Sequence, residues 1–259
     1  MITRLHHLPD VWIFVIFIVP LMVVVVAAAF LGNRLNTRLG LVDCDFQTMD
    51  AFSAVASAAA VVIAFSLVQV DTTLRSIEDG VTREANAIND LDRVMLRYGD
   101  PVLAQLRGEL ARYARTLIED EWPKLRDGGR SAEADDLYVE VSRGLRAVEP
   151  TTIRQGALFS EALKAIDEVS DQRELRLAAT HNGLPSLFWK SVLGVFAILV
   201  AIASQTRPTR RIVWSMMAIS ATLGLLLALV IIIDAPFAGE SIVSTEPIER
   251  MLSSMAARR

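Results

Sequence analysis

Residues 51–98 read AFSAVASAAAVVIAFSLVQVDTTLRSIEDGVTREANAINDLDRVMLRY. The first 20 of them, 51–70, carry no ionisable residue. At about 1.5 Å of helical rise per residue they are long enough for a hydrocarbon core about 30 Å thick. No turn residue separates Val70 from Asp71, and apolar residues then return at Leu74, Ile77, Val81, Ile88, Leu91, Met95 and Tyr98. That 3-4 spacing describes a helix with one apolar seam. A single helix is therefore expected to leave the membrane and continue into a helical domain. Glu84 occupies the seam position between Val81 and Ile88. A carboxylate there must be paired, hydrogen-bonded or protonated. The plain reading pairs it with an arginine of an adjacent helix, Arg112 or Arg176; the sharper one makes it a functional acid at the membrane-proximal base of the domain.

Three further stretches, 11–31, 187–203 and 212–233, are apolar over 21, 17 and 22 residues. Trp12, Trp189 and Trp214 stand near their starts, where amphipathic rings favour the headgroup level, and Lys190 can snorkel from the third. Ala27-Ala28-Ala29 resembles a signal-peptidase site, but the apolar run continues past it and Asp10 rather than a basic cluster precedes it, so the span is expected to be retained. Short connections at 32–50 and 204–211 make two membrane hairpins. The chain thus divides into a first transmembrane hairpin (1–70), a helical extramembrane domain (71–186), a second hairpin (187–233) and a polar C-terminal tail (234–259). The fold class is an all-α integral membrane protein, with four transmembrane helices in two hairpins around the helical domain.

Composition agrees with that division. The chain is 53% hydrophobic with a mean hydropathy of +0.40, yet 22% of its residues are charged. Apolar blocks alternating with polar ones exclude a purely soluble domain and a disordered chain. Cys44 stands alone, which excludes a disulfide scaffold. The net charge is −4, with −6 in residues 71–186 and +2 in the remainder, and offers no basic footprint for nucleic acid.

Within the domain, Asp100-Pro101 starts a second helix with Leu103, Leu106, Leu110, Tyr113 and Leu117 on one face, and Pro123 is expected to stop it. Ser131 starts a third, with Leu137, Val141, Leu145 and Val148, stopped by Pro150. Thr151 or Thr152 caps a fourth that runs to about Thr180, ended by Gly183 and Pro185.

The signatures of common enzymes are missing: no phosphate-binding loop, no dinucleotide glycine fingerprint, no HExxH and no Gly-x-Ser-x-Gly. No enzyme, cofactor or metal site is expected. His6, His7 and His181 do not make a metal site, and His181 reads as a charge at a helix C-terminus. Asp43, Asp45 and Asp50 lack the spacing of a calcium loop and read as a solvated acidic loop. The second span is different. Ser53, Ser57, Ala60 and Ala64 follow spacings of four, three and four and share one helix face. Such a face either lets membrane helices approach closely or borders a water-filled path.

Several segments together resemble the prokaryotic bestrophin-like family, membrane proteins carrying a domain of unknown function. They are Glu84-Ala85-Asn86-Ala87-Ile88, Arg112-Tyr113-Ala114 with Glu119-Asp120-Glu121-Trp122-Pro123, Glu149-Pro150-Thr151-Thr152, Ser170-Asp171-Gln172-Arg173 with Arg176-Leu177, Gly183-Leu184-Pro185 with Trp189, and Asp234-Ala235-Pro236-Phe237-Ala238-Gly239. The resemblance marks Glu84, Asn86, Trp122, Arg173, Arg176, Pro185, Asp234, Pro236, Phe237 and Gly239 as motif residues. Ala235 departs from the family pattern, which usually has a basic or polar residue there. The family name implies similarity to eukaryotic anion channels, which assemble as pentamers with the second span lining the pore; their aromatic constriction has no counterpart in this second span.

Two functions follow as expectations. One is an oligomeric ion channel or transport pore; the other is a non-conducting membrane scaffold or sensor whose helical domain binds a protein partner. Expected partners are the lipid bilayer, further copies of the chain as a homo-oligomer, and ions. The expected location is the inner cell membrane, with sidedness open. Arg34, Arg38, Arg207, Arg210 and Arg211 crowd the two short loops, which favours cytoplasmic loops and an extracytoplasmic domain. The resemblance implies the reverse.

Overall fold

A computed structural model describes residues 10–39, 45–180, 183–238 and 243–258. His6, His7, Asp43, Cys44, His181, Gly239 and the side chain of Asp45 lie outside the described residues. Among the described residues nine α-helices follow one another: α1 Asp10–Leu39, α2 Asp45–Tyr98, α3 Pro101–Thr116, α4 Trp122–Leu125, α5 Ala132–Arg146, α6 Ile153–Ala179, α7 Ser186–Ala203, α8 Arg210–Ile233 and α9 Glu246–Ala256. There is no strand among the described residues. The chain forms two compact units. One comprises Met1–Thr73, Gly183–Ala235 and Gly239–Ser241; the other comprises Leu74–Asn182, Pro236–Ala238 and Ile242–Arg259.

In the first unit, α1, α7, α8 and the N-terminal part of α2 are the four helices long and apolar enough to cross a membrane. They share an apolar cluster to which α1 gives Val25 and Ala29, α2 gives Phe52, Ala56, Ala59 and Ile63, α7 gives Leu199 and α8 gives Met216, Leu223 and Val230. The first and last of these helices approach most tightly at Gly224, where a Cβ would lie 2.9 Å from the Cα of Ile18. A glycine is required there because any side chain would strike backbone rather than a movable group. Pro20 sits inside α1, a residue tolerated in membrane helices because neighbouring groups re-satisfy the freed carbonyl.

In the second unit, α2 buries Val81, Ala85, Ile88, Leu91 and Met95 along the expected seam. Asp100 caps α3 by accepting from the Val102 amide, Ser131 caps α5 through Ala134, and Thr152 caps α6 through Gln155. Pro123 does not stop the second domain helix. Instead α3 passes into a five-residue π-helical segment, Leu117–Glu121, and α4 carries Pro123 in its first turn. A proline is tolerated in a first turn, where its missing N–H removes no interior bond. The tail also contains structure: α9 buries Ile248, Met251 and Met255 in the same core. Arg258 hydrogen-bonds to Asp92 at 3.1 Å and to Asn89 at 2.6 Å, and Arg107 meets the other oxygen of Asp92 at 2.8 Å.

Candidate functional site

The apolar seams of three helices are interrupted by charge at Glu84 of α2, Glu121 of the π-helical segment and Arg173 and Arg176 of α6. All four are buried. In α6 the seam Ala162, Ile166, Val169 continues at the same spacing to Arg173 and Arg176. The apolar face of α3, Leu103, Leu106, Leu110, Tyr113, continues to Leu117, and a further step of four arrives at Glu121. The π-helical segment lies at this step, and π-turns recur where a helix must re-aim a side chain at a functional position.

The four groups form one chain of ion pairs. The Arg176 guanidinium donates through Nε to Glu84 at 2.9 Å and through Nη2 to Glu84 at 3.0 Å and to Glu121 at 2.9 Å. Arg173 holds both oxygens of Glu121, and its Nη1 reaches Asp135 of α5 at 2.6 Å. Asp135 is shared with exposed Arg130 at 2.7 Å. The buried core of the network carries two positive and two negative charges, so its formal sum is zero. Tyr113 donates toward Glu84 at 3.4 Å, and the Arg173 guanidinium lies 6.0 Å from the Tyr113 ring centroid. The Arg176 guanidinium stands 5.0 Å from the Trp122 centroid, a cation–π distance. Its Nη1 has no hydrogen-bond partner among the described residues. Trp122 in turn meets Phe237 edge-on at 5.9 Å and donates from Nε1 to the Val243 carbonyl at 3.2 Å.

Of the two partners proposed for Glu84, Arg176 is the one used. Arg112 is exposed and pairs with Glu109, 2.7 Å away on its own helix, because its position faces away from the seam.

Burial alone would raise the Glu121 carboxyl, but the Arg173 hydrogen bond and the charges of Arg176 and Arg173 outweigh it and hold Glu121 below the usual carboxylate range. Asp135 is likewise lowered by Arg130 and Arg173 against the effect of burial. Burial would lower both arginines; their carboxylate partners raise them instead. The Tyr113 hydroxyl is pushed well up by burial and then by Glu84. Near neutral pH Glu121, Asp135, Arg173 and Arg176 therefore hold their charges and Tyr113 stays neutral, which suits a clamp between helices better than a proton relay. No group of histidine, cysteine and acidic residues that could hold a metal occurs among the described residues.

The motif residues do not form one site. Glu84, Trp122, Arg173, Arg176 and Phe237 converge in the second unit, and the Pro236 carbonyl accepts from the Val243 amide nearby at 2.9 Å. Asn86 is exposed and lines a separate cleft of about 250 Å³ with Asn89 of α2 and Ser254 of α9. Pro185 and Asp234 belong to the first unit. Pro185 precedes α7, and both Asp234 oxygens accept from the Leu184 amide at 3.2 Å. Burial raises the Asp234 carboxyl, with the Leu184 bond opposing. Asp135 carries no sequence mark of its own; Tyr113 stands in the sequence only as a member of the α3 apolar face and of a family segment, and the role of Glu121 could have been found by extending that face.

On the membrane part of α2, the small face is distinct from the packed one. Phe52, Ala56, Ala59 and Ile63 are buried, whereas Ser57 and Ala64 are exposed and Ser53 and Ala60 half-buried. At about 100° per residue the two stripes lie about a quarter-turn apart. The chain's own helices bury Ala56 and Ala59 in their apolar cluster, with Ala60 packed at its edge, and leave Ser57 and Ala64 exposed. The Ser57 hydroxyl donates to the Ser53 carbonyl at 2.8 Å.

Four apolar helices of spanning length and a domain clamped by buried ion pairs define a class of helical, membrane-type proteins. Residues 15–248 match the bestrophin-like domain, and the chain belongs to the bestrophin-like family. The fold is similar to two crystal structures of single-site mutants of a bacterial bestrophin homologue from Klebsiella pneumoniae. The TM-scores are 0.70 and 0.63, at 12% identity, covering 94% of this chain and 98% of each of those. A mutant of a solved membrane protein is similar at a TM-score of 0.66 and 12% identity, covering 93% of this chain and 98% of that one. No curated protein matches the sequence.

Proposed function

We propose that the chain is one subunit of an oligomeric ion channel, with the Ser53, Ser57, Ala60 and Ala64 face of α2 bordering the conduction path. The observation that carries this reading is that face itself. It is small, neutral and lightly polar; Ser57 and Ala64 are exposed and Ser53 and Ala60 half-buried, because the apolar cluster shared with α1, α7 and α8 is centred on the neighbouring stripe of α2. Against lipid it would gain little packing; beside water its serine hydroxyls and small side chains leave room and hydrogen-bonding capacity. Membership of a family related to ion channels supports the same reading. Within it, the buried ion network keeps the domain part of α2 in a fixed register with α3 and α6.

The reading is tested by ion flux into liposomes containing the purified protein. Wild type is expected to conduct. Ser57→Leu and Ala60→Leu are expected to insert normally, since leucine does not oppose membrane entry, and to block flux. Unchanged flux in both variants would remove this face from the path. No flux in wild type would favour a non-conducting scaffold whose helical domain binds a partner. Light scattering in detergent should give a mass several times the 28.5 kDa of one chain.

A further inference from the structure

A cleft of about 440 Å³ lies in the first unit where α1 and α7 end. Along α1 its wall begins apolar, with Ala28 and Leu31, and ends polar, with Arg34, Asn36 and Arg38 around Leu35; Ser204 completes the lining. The cleft is built rather than incidental. Gly32 brings α1 against the Ser204 backbone so closely that any Cβ would collide with it, and Asn36 donates from its amide to the Ser204 carbonyl at 3.4 Å. Arg34 and Arg38 are one helical turn apart on α1, so both guanidinia can reach one group at the rim. Residues 32–39 and 204–211 together contain five arginines and no acidic residue.

We propose that this cleft binds an anionic membrane phospholipid. The Arg34 and Arg38 guanidinia fork onto the phosphate, and an acyl chain lies along Ala28 and Leu31. Two observations select this occupant. The cleft changes from apolar to cationic along α1, at the end of a run with no ionisable residue from Val11 to Gly32, so it matches a molecule with both chemistries in that order. Arginine also offers planar paired donors to phosphate and is weakly hydrated, which suits the edge of a bilayer. The inference rests on α1 and α7 crossing a bilayer and not on conduction. A protein that binds lipid without conducting, or conducts without binding lipid, separates it from the channel reading.

Native mass spectrometry of the detergent-purified protein, with phosphatidylglycerol, phosphatidylcholine or inorganic phosphate added separately, tests it. Wild type is expected to retain phosphatidylglycerol in preference to phosphatidylcholine and to ignore phosphate alone. Arg34→Gln and Arg38→Gln should each weaken phosphatidylglycerol binding about tenfold, the loss of one charge-assisted interaction. The double Lys variant, which keeps the charge, should lie between. Thermal unfolding of wild type gives a second measurement that needs no variant: phosphatidylglycerol should raise the midpoint by more than phosphatidylcholine does. Equal effects of the two lipids, undiminished binding in the glutamine variants, or binding of phosphate alone would overturn the proposal. A glutamine variant that changes oligomer number while keeping its lipid would also overturn it, by making the cleft a contact between copies.

Discussion

The two stretches of α2 handle burial in opposite ways. From Phe52 to Ile63 the helix buries only apolar and small side chains and leaves Ser57 exposed and Ser53 half-buried. From Gly80 to Tyr98 it buries Glu84 and Asp92, each tied to arginines of other elements. The contrast follows from what surrounds each stretch. Where the neighbour is hydrocarbon, no group stands ready to compensate a charge, and small side chains gain most from close packing. Where the neighbours are α3, α6 and α9, each buried carboxylate finds guanidinia held by rigid helices. Such pairs add little net stability against a well-packed apolar substitute, but removing one partner strands the other without water. The ion network is therefore a feature that fixes which helix faces meet, more than a reserve of stability.

The largest expected effect is at the network. Glu84→Ala leaves Arg176 with Glu121 alone and the buried network with one uncompensated positive charge, and should cost about 3–5 kcal/mol, seen as a clear drop in the thermal midpoint. Unchanged stability with lost flux would instead make Glu84 a functional acid and break the contrast. At Gly224 an added methyl meets the α1 backbone, so Gly224→Ala should cost on the order of 1–3 kcal/mol, again read by thermal unfolding. A neutral outcome would mean that α1 and α8 separate without penalty.

Acid gives a smaller, graded effect. Glu121 and Asp135 are held below their ordinary values, so their stabilisation is fully present above the unfolded values and is lost as pH falls through the folded ones. Thermal midpoints should be level down to about pH 4.5 and decline below it. A decline centred between pH 6 and 7 would point to histidine instead. The last expectation leaves stability untouched and concerns sidedness. By arginine density, Cys44 should react with a membrane-impermeant maleimide only after intact cells are permeabilised. Labelling of intact cells would place the helical domain in the cytosol.

The four apolar spans, the seam of α2, the caps at Asp100, Ser131 and Thr152 and the seam carboxylate were legible in the sequence, because each depends on residues within a few turns of one another. The passage of the helix through Pro123 was not. Its cause is a π-helical segment, and proline by itself reads as a stop. The polar composition of the tail likewise concealed α9, whose three buried side chains form a stripe too short to stand out from its charged neighbours.

What the sequence alone determined is the placement of apolar length and of helical periodicity, since these are local properties of one segment and its solvent. It also required that Glu84 have a partner, because the energetic penalty of an unpaired buried carboxylate does not depend on the fold. Only the tertiary structure decided that the partner is Arg176 rather than Arg112, that Glu121 and Arg173 complete a neutral network, and that Ala56 and Ala59 are buried while Ser57 and Ala64 stay exposed. Those outcomes turn on which faces of distant helices meet, and that is settled by simultaneous packing of all of them rather than by any one stretch of chain.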